Sequence, residues 1–187
     1  MKKAVVLVLS LLASVSSFAQ TWSVDKAHAK VNFTVTHLML SEVDGTFKSF
    51  DAKLTSSKED FSDAVFEFTI DAKSVNTNQE NRDAHLNRAD MFDTEKYPTI
   101  TYKSTAIKPT GPKKFQLTGD LTIKGVTKPV TVDLTLVGTG QNRQGKKLVG
   151  FKASGTINRT AFGVGAMPAA VVSEEVELRA SGEFVAN

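Results

Sequence analysis

Three histidines, His28, His37 and His85, are the side chains of this 187-residue chain best suited to proton transfer or metal ligation. They stand 9 and 48 positions apart, neither of which is a short gap that would preset two metal ligands. There is no cysteine to act as nucleophile or soft ligand. The chain also lacks a Gly-x-Ser-x-Gly elbow, a phosphate loop of the form Gly-x-x-x-x-Gly-Lys-Ser/Thr, and a His-Glu-x-x-His pair. The one acid–base arrangement the spacing offers is His85 with Asp83 or Asp93. No metal site, cofactor or catalytic set is therefore expected, and an enzyme built on that histidine is the rival reading.

Cations suit a different chemistry. His37, Arg82, His85 and Arg159, with Lys124 and Lys128, fall on connections that would gather at one end of the fold derived below. Such a rim could hold an anionic head group through charge-assisted hydrogen bonds. The chain carries 23 basic and 20 acidic side chains for a net charge of +3, which falls to +1 once Lys2 and Lys3 are set aside. With no long basic block to neutralise phosphates, a nucleic-acid partner is not expected.

The elements that position these groups are strands. Apolar residues recur at every second position in Val31, Phe33, Val35; in Val43, Gly45, Phe47; and, after a change of parity at Lys48-Ser49, in Phe50, Ala52, Leu54. A parity change of this kind predicts a β-bulge. The pattern continues through Phe66, Phe68 and Ile70, then Ile100 and Tyr102, then Phe115, Leu117 and Leu121. Val132, Leu134 and Leu136, then Val149, Phe151 and Ile157, then Val176, Leu178 and Phe184 complete eight amphipathic strands. Turn sequences such as Lys108-Pro109-Thr110-Gly111-Pro112 separate them, so an antiparallel meander follows. Closing the sheet on itself covers the apolar face and removes the edges, which predicts an all-β, eight-stranded antiparallel barrel. A two-sheet sandwich satisfies the same alternation.

Thr77-Asn78-Gln79-Glu80 has the form of a capping box, with Thr77 as the cap. It predicts one short helix of about three turns between the third and fourth strands, with Asn78, Arg82 and His85 on one face.

Chain composition, 41% hydrophobic and 23% charged, is that of a single globular domain. Lys2-Lys3, the apolar run Ala4 to Ala13 and Ser17-Phe18-Ala19 read as a secretory leader cut after Ala19. That division gives residues 1–19 as leader and 20–187 as the barrel domain, soluble in the periplasm. The apolar run is about half the ~20 residues of a spanning helix.

The twelve phenylalanines are placed largely on inward positions, where Phe33, Phe47, Phe66, Phe68, Phe115 and Phe151 join Val35, Tyr102, Leu117 and Leu134. Plain core packing is one outcome. The other is a narrow apolar channel, favoured by the small inward residues Gly45, Gly119, Gly155 and Gly182 and by Ala52, Ala64, Ala153 and Ala180.

Several short motifs occur in order: Asn81-Arg82-Asp83-x-His85-Leu86, Met91-Phe92-Asp93, Tyr97-Pro98-x-Ile100, Gly119-Asp120-Leu121-Thr122-Ile123-Lys124-Gly125-Val126-Thr127, Gly155-x-Ile157-x-Arg159 and Phe162-Gly163. Together they resemble the YceI-like family of bacterial polyisoprenoid-binding proteins, from about Trp22 to Phe184. The resemblance implies a lipocalin-like periplasmic barrel that carries a long isoprenoid or related amphiphilic lipid, such as a polyprenyl phosphate or an isoprenoid quinone, with no catalytic residues. The apolar inward residues above, with His37, Arg82, His85 and Arg159 at the rim, are then the expected ligand contacts. Transient contact with a membrane or membrane protein, and a homodimer, are compatible with it. A protein-interaction module with a filled core is the remaining alternative.

Overall fold

The computed structural model describes residues 19–187; the expected leader, apart from Ala19, lies outside the described residues. Among the described residues there are ten strands: β1 (Gln20–His37), β2 (Ser41–Phe47), β3 (Phe50–Ser56), β4 (Val65–Asp71), β5 (Val75–Asn76), β6 (Thr99–Gly111), β7 (Lys114–Ile123), β8 (Val126–Gln141), β9 (Lys147–Asn158) and β10 (Glu175–Ala186). Every pairing is antiparallel, and β10 returns to β1 to close the sheet into a barrel. Closure excludes the sandwich. β2 and β3 pair with successive halves of β1 and so act as one barrel strand; the two-residue β5 pairs with β2 alone, and without it the wall has eight strands.

The parity change at Lys48-Ser49 is a full break rather than a bulge. The backbone amide of Lys48 donates to the Ser74 carbonyl at 3.1 Å, and the Ser49 amide to Ser74 Oγ at 3.0 Å. A neighbouring loop thus takes over the bonds that the ladder gives up.

The helix α1 (Glu80–Leu86) is two turns long, shorter than the sequence predicts, and its cap is Gln79, whose side chain accepts from the Arg82 amide. Thr77 does not cap. Its hydroxyl donates to Asp83 Oδ1 at 2.6 Å and accepts from Arg82 Nε at 2.7 Å, since one turn of loop separates it from the first helical residue.

The interior divides into two apolar clusters. At one end Trp22, Leu54, Phe61, Phe66, Phe115, Phe151 and Phe184 pack solid. Phe61, in the loop between β3 and β4, takes a left-handed φ of 58° that turns its ring inward, edge-on to Trp22 and Phe151 at 5.7 and 5.5 Å between centroids. Edge-to-face rings at this spacing add about 0.5–1.5 kcal/mol per pair beyond area burial. The barrel is therefore stoppered at that end. At the other end Phe33, Phe47, Ile70, Met91, Ile100, Ile123, Ile157 and Val176 line the wall, and they do not fill it.

Candidate ligand cavity

Above the aromatic stopper lies a cavity of about 440 Å³. Its size falls in the range of roughly 300–1,000 Å³ common to small-molecule sites. The floor is Phe66, Phe151 and Phe184; the wall is drawn from every barrel strand, with Val31, Phe33, Val35, Phe68, Ile70, Ile100, Tyr102, Leu117, Leu134, Ala153 and Leu178 among its residues. A filled interior is thus confined to one half of the barrel.

Inward glycines leave less space than their missing side chains imply. A Cβ at Gly45 would lie 2.1 Å from Phe33 Cζ, and one at Gly119 would lie 2.6 Å from Tyr102 Cζ. Each glycine gives its volume to a neighbouring ring, which can then lie back against the wall. Tyr102 is fixed further by donating to the Leu117 carbonyl at 3.1 Å. Burial, aided by the charge of Asp120, pushes its hydroxyl up to about 12, so it stays protonated and neutral at physiological pH.

Phe33, Val35, Phe47, Phe66, Phe68, Tyr102, Leu117, Leu134 and Phe151 all face the cavity. Phe115 does not reach it; its ring is buried in the stopper. His37, Arg82, His85 and Arg159 are also on the lining.

These four differ in what they can still offer. Arg82 spends Nε and Nη2 on the Thr77 hydroxyl and carbonyl, at 2.7 and 2.8 Å, which leaves Nη1 directed by a fixed side chain. His85 Nε2 meets Asp90 Oδ2 at 3.3 Å, and this contact holds the Asp90 carboxyl below its usual range. The pairings expected of an acid–base rival, His85 with Asp83 or with Asp93, are not the ones formed; Asp90 takes that place. Asp83 lies two positions before His85 on the helix and turns its carboxylate to the Thr77 amide and hydroxyl, at 2.8 and 2.6 Å. The hydrogen bond and ion pair of the His85 ring are with Asp90, not Asp93.

Arg159, only 5% exposed, has no donor left for a ligand. Nε binds the Ser173 carbonyl at 2.9 Å, Nη1 those of Val164 and Gly165 at 3.0 and 2.8 Å, and Nη2 those of Met167 and Val172 at 2.8 and 2.9 Å. All five guanidinium N–H groups are thereby used. They gather residues 163–173 into a strap across the rim. Lys124 Nζ performs a smaller version of the same task, tying the carbonyls of Ala89 and Gly163 at 2.8 and 3.0 Å.

The strap supplies lining that strand periodicity does not reveal: Val164, Met167, Val171 and Val172, joined from the helical segment by Leu86, Met91 and Phe92. One signal was available in the sequence. Residues 163–172 carry no charge and are mostly small and apolar, which is unusual for a connection.

The model of the YceI-like domain matches residues 22–184. Protein YceI of Escherichia coli O157:H7 is 41% identical over 172 residues, covering 91% of this chain and 89% of that protein. The crystal structure of BcnA from Burkholderia cenocepacia superposes with a TM-score of 0.78 at 30% identity, over 86% of this chain and 98% of that one. A polyisoprenoid binding domain from Saccharophagus degradans, implicated in plant cell wall breakdown, gives 0.66 at 16% identity over 89% and 98%, a likeness of fold.

Proposed function

This chain belongs to the YceI-like family, and from that premise we propose that it is a non-catalytic binding and carrier protein for a long-chain isoprenoid lipid, working in the periplasm after removal of its leader. The observation that carries this reading is the cavity: an apolar hollow of about 440 Å³, stoppered by aromatics at one end and bordered by Arg82, His85 and His37 at the other. The tail enters tail-first toward Phe66 and Phe151, and the head group stays at the rim. The solved Saccharophagus degradans relative is a polyisoprenoid binding domain, which supports the same class of ligand.

Magnitudes agree. At about 0.8 kcal/mol per buried CH₂, roughly twenty tail carbons give on the order of 16 kcal/mol gross. Loss of chain and translational freedom offsets a large part of it. The tail supplies affinity and the rim sets direction, so quinone and phosphate head groups are both compatible with the site.

Protein purified from its native host, extracted into organic solvent and analysed by mass spectrometry, is expected to yield an isoprenoid lipid. An extract without one, together with no uptake of added polyprenoid, contradicts the reading.

A further inference from the structure

The hairpin joining β1 to β2 ends in Leu38-Met39-Leu40, whose residues are 46%, 75% and 86% exposed. Turn positions ordinarily take Gly, Asn, Asp or Ser. Here Leu38 and Met39 both adopt left-handed backbone, with φ of 50° and 55°, and the turn is closed by the Leu40 amide donating to the His37 carbonyl at 3.0 Å. A turn with positive φ at both central positions favours Asn and Gly there; bulky apolar side chains are outliers. So neither solvation nor turn chemistry accounts for the residues found.

The tip is also anchored to the cavity mouth. The Leu38 amide donates to the Val171 carbonyl at 2.9 Å, and Thr36 and Ser173 exchange bonds at 2.9 and 3.0 Å. Val171 is itself 37% exposed and lines the cavity with Val172 and His37. The apolar tip is thereby joined to the strap at Val171, which in turn borders the hollow. Neither residues 38–41 nor residues 163–173 include a charged side chain.

We propose that this hairpin tip and the adjoining strap insert into the apolar layer of a lipid membrane, seating the barrel mouth on the leaflet so that a tail slides into the cavity without crossing water. The inference rests on the carrier reading of that cavity. The charges that flank the tip and strap in sequence, Glu42, Asp44, Glu174 and Glu175, are acidic and offset the cations His37, Arg82 and His85 at the mouth, so net attraction to anionic lipid is not the driving force. A lipid surface also fits better than a protein partner. A stable protein interface needs about 800 Å² of complementary surface on each side, whereas three side chains on a convex tip present a small wedge.

The test is flotation of the full mature chain with vesicles of phosphatidylethanolamine and phosphatidylcholine. The comparison variant is Leu38→Asn/Met39→Gly/Leu40→Ser, which restores favoured turn residues and so melts at or above the wild-type temperature. Wild type should float equally at low and high salt, because apolar insertion is not screened. The variant should partition about tenfold or more weakly, extract polyprenol from vesicles more slowly, and keep wild-type uptake of polyprenol delivered from detergent. A variant that floats as well as wild type overturns the proposal, as does flotation that requires anionic lipid. A wild-type dimer that the substitutions dissociate overturns it too, by assigning the tip to self-association. Tip-dependent flotation without polyprenol uptake from any source upholds the docking surface and removes the carrier reading.

Discussion

The ring of Phe33 occupies the space that a side chain at Gly45 would need, the two residues facing each other across the β1–β2 ladder. Gly45→Ala must therefore drive the ring toward the cavity. The expected cost is about 1–3 kcal/mol, typical of an overpacked core, with reduced lipid capacity. Denaturant unfolding measures the first. Phe33→Leu in the same chain should recover much of the loss, since contacting residues do not act additively; an undiminished cost in that background would place the strain elsewhere.

Arg159 serves as a five-donor clamp on backbone carbonyls. Arg159→Met is expected to lower stability by on the order of 3 kcal/mol and to expose the amides of residues 164–173 to hydrogen exchange. Arg159→Lys should not restore protection, because an ammonium group offers three donors from one point and cannot span the same carbonyls. Full protection in the lysine variant would show that charge alone holds the strap.

Low pH should loosen the stopper. Burial opposes ionisation of Asp63, but hydrogen bonds from the Ser56 and Ser57 hydroxyls and from the amides of Ser57 and Lys58 outweigh it and lower the carboxyl to about 2. A carboxyl whose folded value is depressed below its unfolded value of about 3.9 stabilises the fold fully above that pH, and the contribution disappears as pH falls toward the folded value. Melting temperature should fall between about pH 4 and pH 2, and Asp63→Asn should flatten that part of the profile. A variant that keeps the wild-type slope would assign the titration to another group.

The barrel was legible in the sequence because inward and outward residues alternate so regularly that Phe33, Phe68, Leu117, Leu134 and Phe151 could be assigned to the interior before any coordinates. Connections were less legible. Thr77 has the residue type of a helix cap, but its hydroxyl is taken by the side chains of Asp83 and Arg82, six and five positions on, a choice among local partners that residue type alone does not decide. Arg159 reads as a head-group donor by charge, whereas burial beneath the strap commits it to carbonyls. Phe61 lies in a loop with no periodicity to mark it, and only its left-handed backbone brings it into the stopper. Periodicity reports which face a strand residue occupies; it carries no information on which loops fold back.

Arg82 retains one unspent guanidinium nitrogen beside the mouth. Arg82→Gln is expected to weaken binding of a polyprenyl phosphate by about three- to tenfold, in keeping with the loss of one charge-assisted hydrogen bond at an exposed rim. Affinity for the uncharged polyprenol should stay the same. Parallel titrations of the two ligands decide it, and equal losses would mean that the substitution disturbs the mouth and not the head-group contact.

Whether a lipid tail occupies the hollow above the stopper is read out by native mass spectrometry of delipidated protein incubated with a polyprenol. Ala153 faces the hollow, whereas Val137 is exposed and away from it. One lipid per wild-type chain is expected, with its loss in a folded Ala153→Phe variant and its retention in Val137→Phe. Lipid bound equally by all three, or by none, would contradict occupancy of the hollow.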